Sequence, residues 1–452
     1  MAIAAVQNSA TDAVVDYIFS TKLADVPIAV VHEAKRAFIN IVGCAVGGCR
    51  HPSVEKLWAA LSPFAGQPQA TVLGRTVRTD AMFASLVNCL SSCVFTYDDA
   101  HAEAVVHPSG PVVCALLSLA ETESVSGEDF MTAFLLGVEF TCRLSKAVSV
   151  APAKGNIAWS QTGIAGGIGA AIAVGKVLKL DRRALGGAIA IALTQASGVR
   201  VVQGTAASGL MPAQAAPAGL RAALLARQGL ATPPNALEGK FGFADVFAQV
   251  ANIAALTDDL GSQFEIERLT YKPYPTGIVI GPIIDACLAL RKTYPEDARQ
   301  IEEVLIKVNP VTLTLTDRRH PVDALAAQVS LYHWAAVAFL NGSATLAALD
   351  EVVLQDPRIR NLRDRIKVTT DPSIAADAAE VTIRARNGRE HHHRIEHGVG
   401  SVSRPMTDED LRRKFRELCG PHLGAERAER LLTASNALTD LSDVGLLARM
   451  AG

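Results

Sequence analysis

The chain has 452 residues, 49% hydrophobic and 19% charged, which excludes a disordered polymer and exceeds what one compact core organises. Its 43 Lys and Arg nearly balance 45 Asp and Glu, so there is no electrostatic footprint for nucleic acid or an anionic membrane surface. No apolar run reaches the roughly 20 residues of a membrane span, and the start lacks the basic and apolar regions of a signal peptide. None of the eight cysteines forms a CxxC pair, which suits buried thiols in a reducing compartment. The expected location is the cytoplasm.

Helical patterns fill the first half. Val26-Pro27 places proline where a helix can begin, and Val30, Val31, Ala34, Phe38, Ile41 and Val42 follow at helical spacing. Ser126-Gly-Glu-Asp129 is a capping signature before Phe130, Phe134 and Val138. Small residues crowd Thr162 to Ala171 without GxGxxG spacing or a preceding strand pattern, so close helix packing is predicted rather than a nucleotide loop. After about residue 265 β-branched residues gather. Val304–Val308, Val311–Leu315 and Ile366–Thr369 read as strands, and Val381, Ile383 and Ala385 alternate with polar residues before an Asn387-Gly388 turn. Helices are predicted near 277–292 and 330–341. Thr407-Asp-Glu-Asp410 then caps a last helix with Leu411, Phe415 and Leu418 on one face and Gly420 as its stop. The organisation expected is a mainly helical protein: a large helical domain over 1–265, an inserted α+β domain over 266–398, and a helical C-terminus over 399–452 that returns to the first.

The densest polar stretch runs from Thr96 to Gly110. It holds the adjacent carboxylates Asp98 and Asp99, the histidines His101 and His107, and Glu103. Histidine titrates near neutrality, and a carboxylate beside it can orient its tautomer and raise its basicity. His107, Asp98 and Asp99 are therefore candidates for proton transfer; the purely structural alternative is helix capping and a loop ended by Pro108. A second cluster, Tyr271-Lys-Pro-Tyr-Pro-Thr-Gly277, offers Lys272 as a cation and Tyr274 as a phenol on a proline-fixed loop. A third, Asp317-Arg-Arg-His-Pro321, offers Arg319 to grip a carboxylate at two points, with an exposed turn as the alternative. His333, mid-helix between Tyr332 and Trp334, has the setting of a core histidine. The run His391, His392, His393 and the nearby His397 supplies too few ligands on one strand face for a closed metal site, so no metal is expected. No GxSxG elbow follows a strand.

Several motifs together resemble the MmgE/PrpD family, which includes 2-methylcitrate dehydratase, cis-aconitate decarboxylase and iminodisuccinate epimerase. They are Phe38–Gly47, Tyr97-Asp-Asp99 with His107-Pro-Ser109, Gln195-Ala-Ser-Gly198, Leu237-Glu-Gly239 with Gly242-Phe243, Lys272-Pro-Tyr-Pro275, and Ser330-Leu331. The resemblance implies a large helical domain with a smaller α+β domain, a homodimer, a site between the domains, no cofactor, and chemistry next to a carboxylate. It also exposes departures. Thr96 stands where the family often has aspartate, and Ser160, in Ala158-Trp-Ser-Gln-Thr-Gly163, replaces a histidine. Ser208 takes the place of a common lysine, Met211 that of a histidine, and Gly277 and Gly281 those of two more. A family tyrosine falls on His333, with Tyr332 beside it.

Several basic groups are thus gone, and each lost contact to a carboxylate removes about 1.5–3 kcal/mol. The pocket is expected to be less cationic and more apolar, with Trp159 and Met211 nearby and Thr162, Ser160, Ser208 and Tyr332 beside Lys272 and Arg319 as binding groups. The expected function is a cofactor-independent lyase or isomerase on a small carboxylate other than 2-methylcitrate or cis-aconitate. His107, Asp98, Asp99, Tyr274 and His333 are its candidate catalytic residues. The rival is a family-fold protein that has lost catalysis and serves as a binding or assembly subunit.

Overall fold

Capping side chains and long apolar runs set the helices of the first half. In the computed structural model, which describes residues 9–295 and 297–452, Pro27 occupies the N-cap of the helix Ile28–Gly47. Ser126 caps Gly127–Ser149 by accepting from the Asp129 amide, and Ser160 caps Gln161–Val177 by accepting from that of Gly163. Every residue from Gln161 to Gly175 is buried. The small residues there serve close packing: a Cβ on Gly169 would lie 1.9 Å from Thr141 Oγ1, and one on Gly219 2.4 Å from the Ala170 Cβ. The helices Gly127–Ser149 and Ala215–Arg227 therefore meet this one almost backbone to backbone.

Further along, four strands form one sheet in the order Glu390–Ile395, Ala379–Ala385, Ile301–Val308, Ile366–Thr370. The first three run antiparallel and the last pair parallel. Val381, Ile383 and Ala385 point inward, and the helix Gly281–Thr293 lies against them. Gly388, at φ 81°, makes the hairpin turn that Asn387-Gly388 predicts.

Two local expectations are corrected. Val311–Leu315 is not a strand but part of the helix Pro310–Thr316. The Asn309 side chain accepts from the Val311 amide at 2.9 Å, Pro310 presets the first turn, and Thr316 donates back to the Thr312 carbonyl. A cap and an N1 proline here outweigh β-branched composition. The helix Asp408–Leu423 keeps its Thr407/Asp410 capping box but runs past Gly420 and Pro421 to stop at Gly424, φ 77°. Pro421 falls in the final turn, where one missing hydrogen bond does not break the helix.

Two large hydrophobic cores and one small cluster of Cys44, Tyr97 and Leu418 result among the described residues. The larger takes residues from Val14 to Tyr271 and again from Met406 to Ala451; the smaller takes residues from Ile280 to Ile395. Asp408–Leu423 packs on Ile28–Gly47 so closely that a Cβ on Gly47 would lie 2.7 Å from Leu418 Cδ2. All eight cysteines are unpaired thiols, seven buried and Cys93 half-buried. Among the described residues no helix is long and apolar enough to cross a membrane.

Candidate active site

Three short segments meet at the seam between the two cores. The strand Asp99–His101 pairs antiparallel with Leu269–Tyr271, Asp99 opposite Tyr271. That register sets Lys272 beside Asp98, and its Nζ donates to Asp98 Oδ1 at 2.8 Å. The chain then doubles back through a His101–Val106 bridge, which returns His107 to Asp99. The His107 amide donates to Thr162 Oγ1 at 2.9 Å, and its Nδ1 lies 2.8 Å from the Asp99 carbonyl oxygen. A carbonyl only accepts, so Nδ1 carries the proton and Nε2 keeps its lone pair. Asp98 Oδ2, 3.4 Å from Nδ1, favours the same tautomer; Lys272 Nζ at 3.5 Å is the longer, weaker contact. Two β-branched residues with positive φ, Thr96 at 49° and Val105 at 53°, bracket this segment. Such a backbone costs about 1–3 kcal/mol per residue and persists only where its surroundings impose it.

The two aspartates have opposite electrostatics. Burial opposes charge on Asp98, but Lys272 and His107 outweigh it and hold that carboxyl below its ordinary range. For Asp99, which is 0% exposed, burial and the Asp98 charge act together and push the pKa up to about 7. Ser109 donates to Asp99 Oδ2 at 2.7 Å, while Oδ1 has no hydrogen-bond partner. Burial lowers the His107 pKa against the opposing pull of Asp98, which leaves a neutral imidazole at neutral pH. The other histidine of the stretch is structural. His101 is buried, accepts from the Ala104 amide at Nδ1 and donates to Glu265 through Nε2 at 2.8 Å.

His107 and Lys272 border a cavity of about 410 Å³. A polar extension of about 190 Å³ carries Asp98, His107, Ser160, Thr162, Ser208 and Met211. Aliphatic side chains wall the main chamber, among them Val105, Ile157, Ile278, Val279, Val311 and Leu315. Ser160 is engaged as a helix cap, and the Ser208 hydroxyl donates to the Val202 carbonyl at 2.8 Å. Neither replaces the charge of a lysine or histidine. A wider groove of about 830 Å³ lies along Phe241 and Phe247, but Lys240 is the one titratable residue that lines it.

Six of the proposed catalytic and binding residues lie outside the lining of both chambers: the fully buried Asp99, and Trp159, Tyr274, Arg319, Tyr332 and His333. Trp159 borders the neighbouring groove, edge-on to Phe247. Tyr274 turns into the smaller core and donates to Asp285 Oδ1 at 2.6 Å. Arg319 stacks over Tyr332 at 4.3 Å and donates to the Ile366 carbonyl, and the Tyr332 hydroxyl donates to Asp317. His333 is 0% exposed and donates through Nε2 to the Ala348 carbonyl at 2.9 Å. Residues Leu331 to Phe339 are buried without exception, so a polar side chain on this helix meets the core rather than a ligand. The histidines of the strand Glu390–Ile395 and of the loop after it also have separate settings: His391 meets the Tyr294 ring, His392 bonds Thr382, and His397 bonds Asp377.

Two residues of the site escape a sequence reading. Arg200 borders both chambers, with Nε donating to the Trp159 carbonyl and Nη2 to Gln161 Oε1 at 2.7 Å. Among the described residues no carboxylate lies within 4.0 Å of its guanidinium. Lys414 is 4% exposed, and its Nζ donates to Asn40 Oδ1, the Tyr97 carbonyl and the Lys272 carbonyl, all within 2.9 Å. Burial lowers its pKa to about 8. The available signal was its place on the apolar face with Leu411, Phe415 and Leu418, where an ionisable group needs partners.

Comparison with known proteins adds the family context. Residues 12–255 match the MmgE/PrpD N-terminal domain and residues 274–440 the MmgE/PrpD C-terminal domain. Cis-aconitate decarboxylase of Mus musculus is 26% identical, over 98% of this chain and 93% of its own length. The Aspergillus terreus enzyme of that name is also 26% identical, over 92% and 91%. The 2-methylcitrate dehydratase of Salmonella typhi is 23% identical, over 81% and 77%.

Proposed function

The chain belongs to the MmgE/PrpD family, and from that premise we propose a cofactor-independent lyase or isomerase acting beside the carboxylate of a small organic acid. The observation that carries this is the state of His107. Its Nδ1 proton is fixed on the Asp99 carbonyl, the ring is neutral, and Nε2 is left as the base for a substrate proton. Asp98 is held as an anion by Lys272 and stabilises the imidazolium that forms when His107 takes that proton. Arg200 offers two-point recognition of the substrate carboxylate. Thr162 positions the histidine through its amide rather than touching the reacting atoms.

The substrate proposed carries fewer carboxylates than 2-methylcitrate or cis-aconitate. Ser208, Ser160 and Met211 supply no charge to the polar extension, and Lys272 is already neutralised by Asp98. The protein is further proposed to be a cytoplasmic homodimer, a state that would cover exposed apolar side chains such as Val201 and Phe241, 85% and 76% exposed. Light scattering on the purified protein tests that assembly.

The test of catalysis is proton exchange. Chelator-treated protein is incubated in deuterated water with mono-, di- and tricarboxylates, and deuterium entry next to the carboxylate is followed by NMR. Exchange with at least one acid, lost in His107→Asn, is the outcome expected. Protein inert towards every acid that it binds would instead identify a binding subunit.

A further inference from the structure

We infer that the acid accepted by this site is a monocarboxylate with an apolar tail of several carbons. This rests on the proposal that the cavity beside His107 is a substrate site, and it names which class of acid fits there.

Charge comes first. Two permanent cations, Arg200 and Lys272, and one carboxylate, Asp98, line the two chambers. Lys272 and Asp98 form an ion pair at 2.8 Å in which both side chains are buried. Arg200 is thus the one uncompensated permanent charge among the described lining residues. One carboxylate would neutralise it. A second or third would meet no counterion among the described lining residues and would lie against aliphatic walls, where unpaired charge is disfavoured.

Shape and surface come second. Polar groups line both chambers, Asp98, Ser160 and Thr162 in the small extension and Lys272 in the main one, but a large part of the main chamber's wall is aliphatic, with Ile278, Val279, Val311 and Leu315 found there and not in the extension. Val105, Val311 and Leu315 remain 53%, 40% and 44% exposed, so about half of their surface is open to a ligand. Gly277 lies on the same wall, and a Cβ built on it would meet nothing within 4 Å. The chamber therefore has both room and apolar surface beyond what a carboxylate on Arg200 would occupy. A carboxylate held by Arg200 near His107 directs the rest of the molecule into that chamber.

Binding tests this independently of turnover. Saturated straight-chain acids from acetate to octanoate, and the α,ω-dicarboxylates of matching length, are titrated calorimetrically into the whole protein. Affinity for the monoacids should rise three- to fourfold per methylene, the equivalent of about 0.8 kcal/mol, until the chamber is filled. Each dicarboxylate should bind at least tenfold more weakly than the monoacid of its length. Leu315→Gln, on a partly exposed wall, should flatten the length dependence, and Arg200→Gln should weaken every monoacid while leaving the slope. Affinity that ignores length, or that favours the dicarboxylates, overturns the inference. Length-dependent binding without deuterium exchange would remove the catalytic proposal and keep this one; exchange with flat length dependence would do the reverse.

Discussion

Lys272 Nζ lies 2.8 Å from Asp98 Oδ1 and 3.5 Å from His107 Nδ1, so one buried cation acts on both acid–base partners. It stabilises the Asp98 anion and, by repulsion, disfavours protonation of His107. Lys272→Met should therefore raise both pKa values. A base works only when neutral, so the acidic limb of the kcat/KM profile should move to higher pH, by about one unit. A limb that stays put, or moves to lower pH, would separate Lys272 from the base.

His107→Asn keeps a polar side chain near the Asp99 carbonyl but removes the basic nitrogen. Turnover on the true substrate should fall about 10²–10⁴-fold with KM little changed. Wild-type turnover in this variant takes the histidine out of the mechanism.

Asp99 gives a pH signature in stability. Its native pKa of about 7 exceeds the unfolded value of about 3.9. Between those values the native state keeps a proton that the unfolded chain has released, so this group's contribution declines as pH rises and is lost above about 7. Asp99→Asn has no such titration. In urea unfolding, stability of the variant relative to wild type should improve by on the order of 1–4 kcal/mol from about pH 4 to about pH 8. A flat difference would show that Asp99 is already ionised in the native protein at low pH.

Two helical glycines should respond to alanine with opposite signs. At Gly169 the new methyl meets Thr141 Oγ1 and the Gly137 carbonyl, at 1.9 and 2.5 Å. Overpacking should lower stability by about 1–3 kcal/mol. At Gly186 the nearest atom is Val15 Cγ2 at 3.8 Å, and the gain in helix propensity should stabilise by about 0.5–1 kcal/mol. Thermal unfolding of the pair decides whether the small-residue run exists for packing.

Conversion of 2-methylcitrate and cis-aconitate should be negligible in a coupled or NMR assay. Ser208→Lys alone should not create it, because the Ser208 backbone belongs to a turn whose hydroxyl bonds serve Val202 and Thr205. Efficient turnover of either acid by wild type would show that the missing cations are supplied elsewhere.

Legibility in the sequence followed range. Capping at Ser126 and Thr407 is local chemistry, and so is the alternation at Val381, Ile383 and Ala385; each appears where its pattern lies. The meeting of Asp98, Asp99, His107 and Lys272 was marked by residue type and family motif, while the geometry that joins them is the pairing of Asp99 with Tyr271, 172 positions along the chain. Val311–Leu315 went the other way because one proline and one capping asparagine overruled five strand-like residues. His333 and Arg319 carried promising chemistry, but only packing reveals that one faces a carbonyl in the core and the other stacks on Tyr332. Arg200 gave no local sign of its missing partner.

Lys414 also imposes a timetable on biosynthesis. Its ammonium joins the carbonyls of Tyr97 and Lys272 and the side chain of Asn40, yet it lies on the helix Asp408–Leu423 near the end of the 452-residue chain. While the ribosome still holds that helix, the aspartates and histidine have been made but their clasp has not. The surface of Ile28–Gly47 that receives Phe415 and Leu418 stays uncovered as well. A chain without this helix would leave those three acceptors without their ammonium and that apolar surface of Ile28–Gly47 bare.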